Sequence, residues 1–412
     1  MTGLVCGDTV LTDDDLRERI AAAGAAGVDT PGRAVPIRAT DRVDALVTAL
    51  AVRAAGGVPL VGDDRWDGAY WAALKDRVDA AAPAPGMAWG TFTSGSTGTP
   101  RVVLRTEESW SASFPAVERL TGLTAADVVY LPSPLVSSVT MFSVAHARAC
   151  GATVVLPRTH SVSAADLANA TVLHGTPYAL RDILERIESG SAHRLRVALV
   201  GGARLDPRLR ARAEAAGIAV VSYYGAAELS FVATDADGSG LRPFDGVEIR
   251  VVDGVLWVRS GYFAGGYLGD VDGPFRRTAD GWGTVGDLAA DGPIPLRLRG
   301  RGDGAILTAA ATVVPEDVEA ALLGIDGIAD AVVFALPHER AGDLVAAVIE
   351  PAAGRRPPTA GELRARVGTL LTGTHRPRRW FWVDRLPRTA AGKPAREQIR
   401  QGAIEGRVAR VV

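Results

Sequence analysis

Lysine is almost missing from this chain. Only two of the 45 basic residues are lysines, Lys75 and Lys393, and the rest are arginines. With 47 glycines and abundant alanine, this skew is what a GC-rich coding bias produces. It also makes each lysine informative, because a site that needs a slender ammonium resists replacement by a planar guanidinium. Lys75 falls on a polar helix face and reads as surface, which leaves Lys393. Cysteine is equally scarce: Cys6 and Cys150 form no C-x-x-C pair, which argues against a disulfide framework or a structural zinc site. They read as free thiols of a reducing compartment. The pair His338-Glu339 is followed by Gly at position 342, so the H-E-x-x-H zinc pattern is absent. No window of about 18 apolar residues runs without a charge or several glycines. Asp8, Asp13, Asp14 and Asp15 stand where a secretory signal needs a basic start and an apolar run. The net charge of −2 draws the molecule to neither nucleic acid nor an anionic membrane. A cytoplasmic protein with no nucleic-acid or membrane partner is expected.

What is present is ordinary globular chemistry. The 412 residues are 47% hydrophobic and 22% charged, enough for a large core and two or three domains. Helical and strand-like patterns alternate through the first 220 residues. Helices are expected at 12–20, 43–55, 136–150, 177–187 and 207–216. Buried strands are expected at 57–61, 127–131, 153–156, 195–200 and 218–222. That order predicts a layered α/β core. From 246 to 298 the period becomes two: Val247, Ile249 and Val251, then Asp253-Gly254, then Val255 and Trp257. This is a hairpin with an Asp-Gly turn, within antiparallel sheet or a small barrel-like part. After Gly300 a helix at 315–323, strands at 331–334 and 345–349, and a helix at 360–371 predict a small α+β domain. The expected division is 1–300 as core and 301–412 as a small mobile domain.

One segment concentrates chemistry. Residues 91–99 hold six hydroxyl side chains and two glycines, followed by Pro100 and Arg101. Glycines let backbone N–H groups turn toward an anion, hydroxyls add donors, and Arg101 adds positive charge. This is the inventory of a phosphate-cradling loop, although the same composition also reads as a solvated linker. It is not a Walker A loop, because G-x-x-x-x-G-K-[ST] occurs nowhere. Gly281, Gly283 and Gly286 form a lone G-x-G-x-x-G, but Pro293 and Pro295 follow instead of a helix, which argues against a dinucleotide site.

Six ordered motifs resemble the adenylate-forming superfamily of acyl-CoA synthetases, peptide-synthetase adenylation domains and luciferases. Thr93-Ser94-Gly95-Ser96-Thr97-Gly98-Thr99-Pro100-Arg101 resembles its phosphate loop. Gly201-Gly202-Ala203 is similar to the strand end bordering adenine, and Tyr223-Tyr224-Gly225-Ala226-Ala227-Glu228 to Y-G-x-T-E. The segment from Trp282 to Leu288, with Gly286-Asp287, resembles its T-G-D stretch. Gly300-Arg301-Gly302-Asp303 is similar to G-R-x-D, and the segment from Leu386 to Lys393 to L-P-x-T-x-x-G-K. The resemblance implies ATP and Mg²⁺. Thr93 to Gly98, Gly201 to Ala203, Tyr223 to Gly225, Asp287 and Arg301 would hold the nucleotide, with Tyr224 stacked on adenine and Asp287 and Arg301 at the ribose. Glu228 would bind the metal, Lys393, Glu228 and Arg101 would be the catalytic set, and Asp303 would be the hinge of the small domain.

There are departures from the family pattern. Arg101 stands where the family has Lys, Ala227 and Val285 where it has Thr, and the glycine pair after the hinge is absent. The implied reaction is activation of a small aryl or short acyl carboxylate as its adenylate, with release of pyrophosphate and transfer to CoA. The alternatives keep the adenylate and change the acceptor: a carrier-protein thiol, an amine, or nitrite chemistry as in ATP-dependent diazotases. A non-catalytic nucleotide-binding protein is the reading from a different class; the retained Lys393 argues against it. The pocket is expected around 135–142, 175–178 and 225–230, with no cation for a second carboxylate.

Overall fold

Short runs of valine, leucine and alanine bounded by glycine build the centre of this protein. In the computed structural model, described for residues 2–25, 30–93, 100–159, 161–269, 271–290, 294–301, 306–308, 311–338, 342–371, 375–389 and 392–411, these runs pair into a nine-stranded sheet. In order across it lie Arg242–Pro243, Ser230–Asp235, Ala219–Ala226, Val197–Val200, Val172–Gly175, Val128–Tyr130, Thr153–Leu156, Thr2–Cys6 and Thr9–Thr12. The six strands from Ala219–Ala226 to Thr2–Cys6 are parallel, with antiparallel pairing only toward the two edges. Both faces of a parallel sheet need cover, which explains strands without polar alternation. On one face, Leu180, Ile183 and Leu184 of helix Pro177–Glu188 and Leu209 of helix Pro207–Ala215 pack on Leu173, Ala198 and Val220. On the other, Phe142 and Val144 of helix Ser138–Cys150 meet Val172, Leu199 and Val221. Each fully buried valine, leucine, isoleucine or phenylalanine among them contributes about 1.5–3 kcal/mol.

Local chemistry sets the element ends. Thr12 precedes helix Asp13–Ala25, accepting from the Asp15 N–H at 3.1 Å while Asp15 accepts from the Thr12 N–H at 2.9 Å. The expected Asp-Gly turn is present: Asp253 and Gly254 have φ of 51° and 75° between strands Glu248–Val252 and Val255–Arg259. These strands belong to a six-stranded antiparallel sheet that takes an open form.

Residues 306–411 build hydrophobic clusters of their own. A second six-stranded sheet centres on Ile328–His338, Gly342–Pro351 and Arg379–Trp382. Helices Pro315–Leu323 and Ala360–Leu370 pack on one face and Arg396–Ile404 on the other. Among the described residues no helix is long and apolar enough to cross a membrane. Both cysteines are free thiols, and Lys75 is half exposed and ion-paired with Asp79.

Candidate active site

Three adjacent parallel strands, Val172–Gly175, Val197–Val200 and Ala219–Ala226, end at one level. The Gly201 N–H donates to the Gly175 carbonyl at 3.0 Å, and Val200 is in register with Ser222. Thr176, Gly201, Gly202, Tyr223 and Tyr224 therefore gather at the carboxyl edge of the sheet, where open α/β sheets bind ligands. Neighbours on a strand face opposite ways. The Tyr224 hydroxyl donates to Asp287 Oδ2 at 2.5 Å, which brings together two residues that are 63 positions apart in sequence. Past a bulge at Tyr224 and Gly225 the strand continues to Ala226, and the turn beyond it carries Glu228. Glu228 is buried, and its Oε1 accepts from the Tyr267 hydroxyl at 2.9 Å. Burial and the Glu228 charge push the Tyr267 phenol above its ordinary range, so it stays a donor.

Strands Trp89–Thr93 and Arg101–Arg105 form an antiparallel pair with Thr93 opposite Arg101. In sequence, the hydroxyl-rich segment joins these two strands. Ser94, Gly95, Ser96, Thr97, Gly98 and the hinge candidate Asp303 lie outside the described residues, as does the Arg301 side chain. Arg101 uses its Nε to donate to the Asp272 carbonyl at 2.9 Å.

Lys393 arrives from the second sheet's half of the chain. Its loop is tight: the Thr389 N–H donates to the Lys393 carbonyl at 2.7 Å, and Arg388 bridges to Pro394. Gly392 has φ of +74°, and a Cβ there would lie 2.9 Å from Thr176 Oγ1. Only glycine fits that position, for both reasons. A methyl group on Gly202 would lie 3.5 Å from Lys393 Cε, so the lysine stem reaches the sheet edge. Helix Pro177–Glu188 receives the loop. The Arg388 guanidinium sits 4.1 Å from the Tyr178 ring centre and pairs with Asp330 at 2.6 Å. Arg385 donates to the Tyr178 hydroxyl at 2.9 Å, and Arg181 to the Ala329 carbonyl at 2.7 Å.

Several residues here are absent from the sequence reading. Arg105 is buried and donates to the Ala227 carbonyl at 2.6 and 3.0 Å and to the Tyr262 carbonyl at 2.8 Å. It fastens the backbone next to Glu228. Burial pulls its guanidinium down to about 9, against the holding effect of the Glu228 charge, and it remains a cation at neutral pH. Tyr223, grouped by sequence with the nucleotide residues, makes different contacts. Its hydroxyl meets His174 Nε2 at 3.0 Å, and His174 Nδ1 meets Ser143 Oγ at 2.6 Å. Burial pushes His174 down to about 3, with a smaller push from His146, so the imidazole is neutral. A lone histidine and a serine on separate elements leave no spacing signal; only the pairing of strand and helix brings them together.

The sequence model of the AMP-binding enzyme family matches residues 4–268, and that of the AMP-binding enzyme C-terminal domain matches 317–393. The chain belongs to the AMP-binding enzyme family. It is an adenylate-forming ligase, as the ordered motifs imply. The chain is 29% identical over 335 residues to the uncharacterized acyl–CoA ligase YhfT of Bacillus subtilis (strain 168), covering 75% of this chain and 67% of that one. It is 37% identical over 206 residues to a probable 2-succinylbenzoate–CoA ligase of Mycobacterium tuberculosis, covering 49% of this chain and 52% of that one, about half the relative's length. The solved o-succinylbenzoate CoA synthetase (MenE) from Bacillus subtilis, in complex with the acyl-adenylate intermediate OSB-AMP, has the same fold, with a TM-score of 0.81. It is 21% identical, and the match covers 97% of this chain and 95% of that one.

Proposed function

We propose that this AMP-binding enzyme activates a small carboxylic acid with ATP and then passes the acyl group to CoA. The observation that carries the reading is the approach of Lys393 to Gly202, one strand away from the Tyr224–Asp287 pair. A carboxylate oxygen attacks the α-phosphorus, the bond to the β-phosphate oxygen breaks, and pyrophosphate leaves. Charge builds on the α-phosphate oxygens, and an ammonium aimed there stabilises it more than the ground state. In the second step the CoA sulfur attacks the acyl carbon and AMP departs.

Roles follow from position. Tyr224 presents a ring for adenine stacking and holds Asp287, which accepts from ribose hydroxyls. Residues Thr93 to Gly98 cradle phosphates, with Arg101 as their cation. Mg²⁺ is commonly held by one or two carboxylates and by phosphate oxygens, whose charge it neutralises. Glu228 fits that part: it is buried, Tyr267 occupies Oε1, and among the described residues no hydrogen bond reaches Oε2. Gly201, Gly202, Ala203 and Gly225 line the same edge, and Arg301 lies beside Asp287, with which it is paired in register. We assign 1–300 to the core and 301–412 to a lid that turns about Asp303 between the two steps. The named CoA ligases among the relatives support CoA as acceptor over nitrite, an amine or a carrier protein.

The test is product analysis. Purified protein with ATP, Mg²⁺ and a panel of acids should yield an acyl-CoA thioester only when CoA is present, with one pyrophosphate per thioester. Turnover that ignores CoA and releases a non-thioester product would contradict the second step.

A further inference from the structure

Tyr223 and Tyr224 are consecutive on one strand, and their side chains take opposite faces. Tyr224 goes to Asp287. Tyr223 goes to the face covered by helix Ser138–Cys150, and its ring lies directly over Gly201, where a Cβ would come within 2.2 Å of it. Gly202, the next residue, is the one Lys393 reaches. The Tyr223 ring over Gly201 therefore stands next to the point that Lys393 reaches, on the opposite side of the strand from the Tyr224–Asp287 pair.

The ring is fixed there. Phe231 lies against it at 4.6 Å between ring centres. The proton order of the polar chain behind it can be traced. Ser143 Oγ donates to the Val139 carbonyl at 2.8 Å, so it accepts from His174 Nδ1–H. His174 Nε2 is then an acceptor, and the Tyr223 hydroxyl spends its proton on it. Moving the ring would strip a buried imidazole of its partner, at a cost of about 1–3 kcal/mol. The set of Ser143, His174, Tyr223, Phe142 and Phe231 carries no charge, since burial holds His174 neutral.

We infer that Tyr223, anchored by His174 and Ser143, closes the far end of the acid site and restricts the enzyme to short acids with an uncharged tail. This rests on the function proposed above. Pyrophosphate release would be compared for acetate through decanoate and for succinate against butyrate, in wild type, Tyr223→Ala and Tyr223→Leu. Wild type should prefer the short uncharged acids. Both variants should raise the ratio of kcat/KM for decanoate to that for propionate at least tenfold. A wild type that prefers decanoate, or succinate over butyrate, overturns the inference without any variant. So does a folded variant whose ratio stays within threefold of wild type. A wild type that turns over no acid overturns the proposed function, and the inference with it.

Discussion

His174 ties stability to pH. Its native value of about 3 lies below the ordinary 6.5, so the unfolded chain takes up a proton that the native protein refuses. Stability is at its full value above 6.5 and falls as pH drops from 6.5 toward 3. Where the unfolded imidazole is charged and the native one neutral, the slope is about 1.4 kcal/mol per pH unit. His146, also held low by burial, adds to the same slope. Urea titrations between pH 7 and 4.5 should show wild type losing stability faster than His174→Asn, and equal slopes would contradict this. The catalytic candidates were legible as residues because they sit in ordered motifs, and Lys393 because lysine is so rare. His174, Ser143 and Arg105 were not legible. Each is an unremarkable polar residue whose meaning comes from a partner between 31 and 157 positions away.

At the scale of elements, the helices and strands expected in the first 220 residues are present, where apolar runs and capping residues coincide, but the central strand Val172–Gly175 and the first strand Thr2–Cys6 were not among them. The strand expected at 218–222 continues to Ala226, since antiparallel pairing with Ser230–Asp235 extends it beyond its β-branched part. Helix Arg396–Ile404 escaped the reading because Ile399, Gly402 and Ala403 are its only buried residues. Helix Pro177–Glu188 was read as a core helix, and its inner face is one. Its outer face carries Tyr178, which holds Arg385 and Arg388 of the lysine loop. A cation over an aromatic ring contributes about 0.5–2 kcal/mol. Tyr178→Ala should therefore slow adenylate formation about fivefold without a matching loss of ATP affinity. Pre-steady-state pyrophosphate release alongside an ATP titration checks this; an unchanged rate would remove the helix from the positioning of Lys393.

Across the whole molecule, two bodies of hydrophobic core meet through polar contacts. Arg181 reaches the Ala329 carbonyl and lies 3.6 Å from Glu350, Arg385 approaches Asp182 at 3.5 Å, and Arg299 approaches Asp317 at 3.8 Å. An interface of this kind is suited to docking and release, as a lid requires. The length and composition set the scale of the protein, and the motif order supplied its family. The docking of one half on the other was beyond both, because it depends on arginines that sequence alone cannot distinguish from a solvated basic surface. The central claim is that Lys393, brought to Gly202 by this docking, drives adenylate formation. Its most direct measurement is acid-dependent exchange of labelled pyrophosphate into ATP, in wild type and in Lys393→Ala. Wild type should exchange with at least one short acid, and the variant should lose more than about tenfold, or about 1.4 kcal/mol of transition-state stabilisation. Absence of exchange with every acid despite ATP binding, or a variant within tenfold of wild type, would contradict the claim.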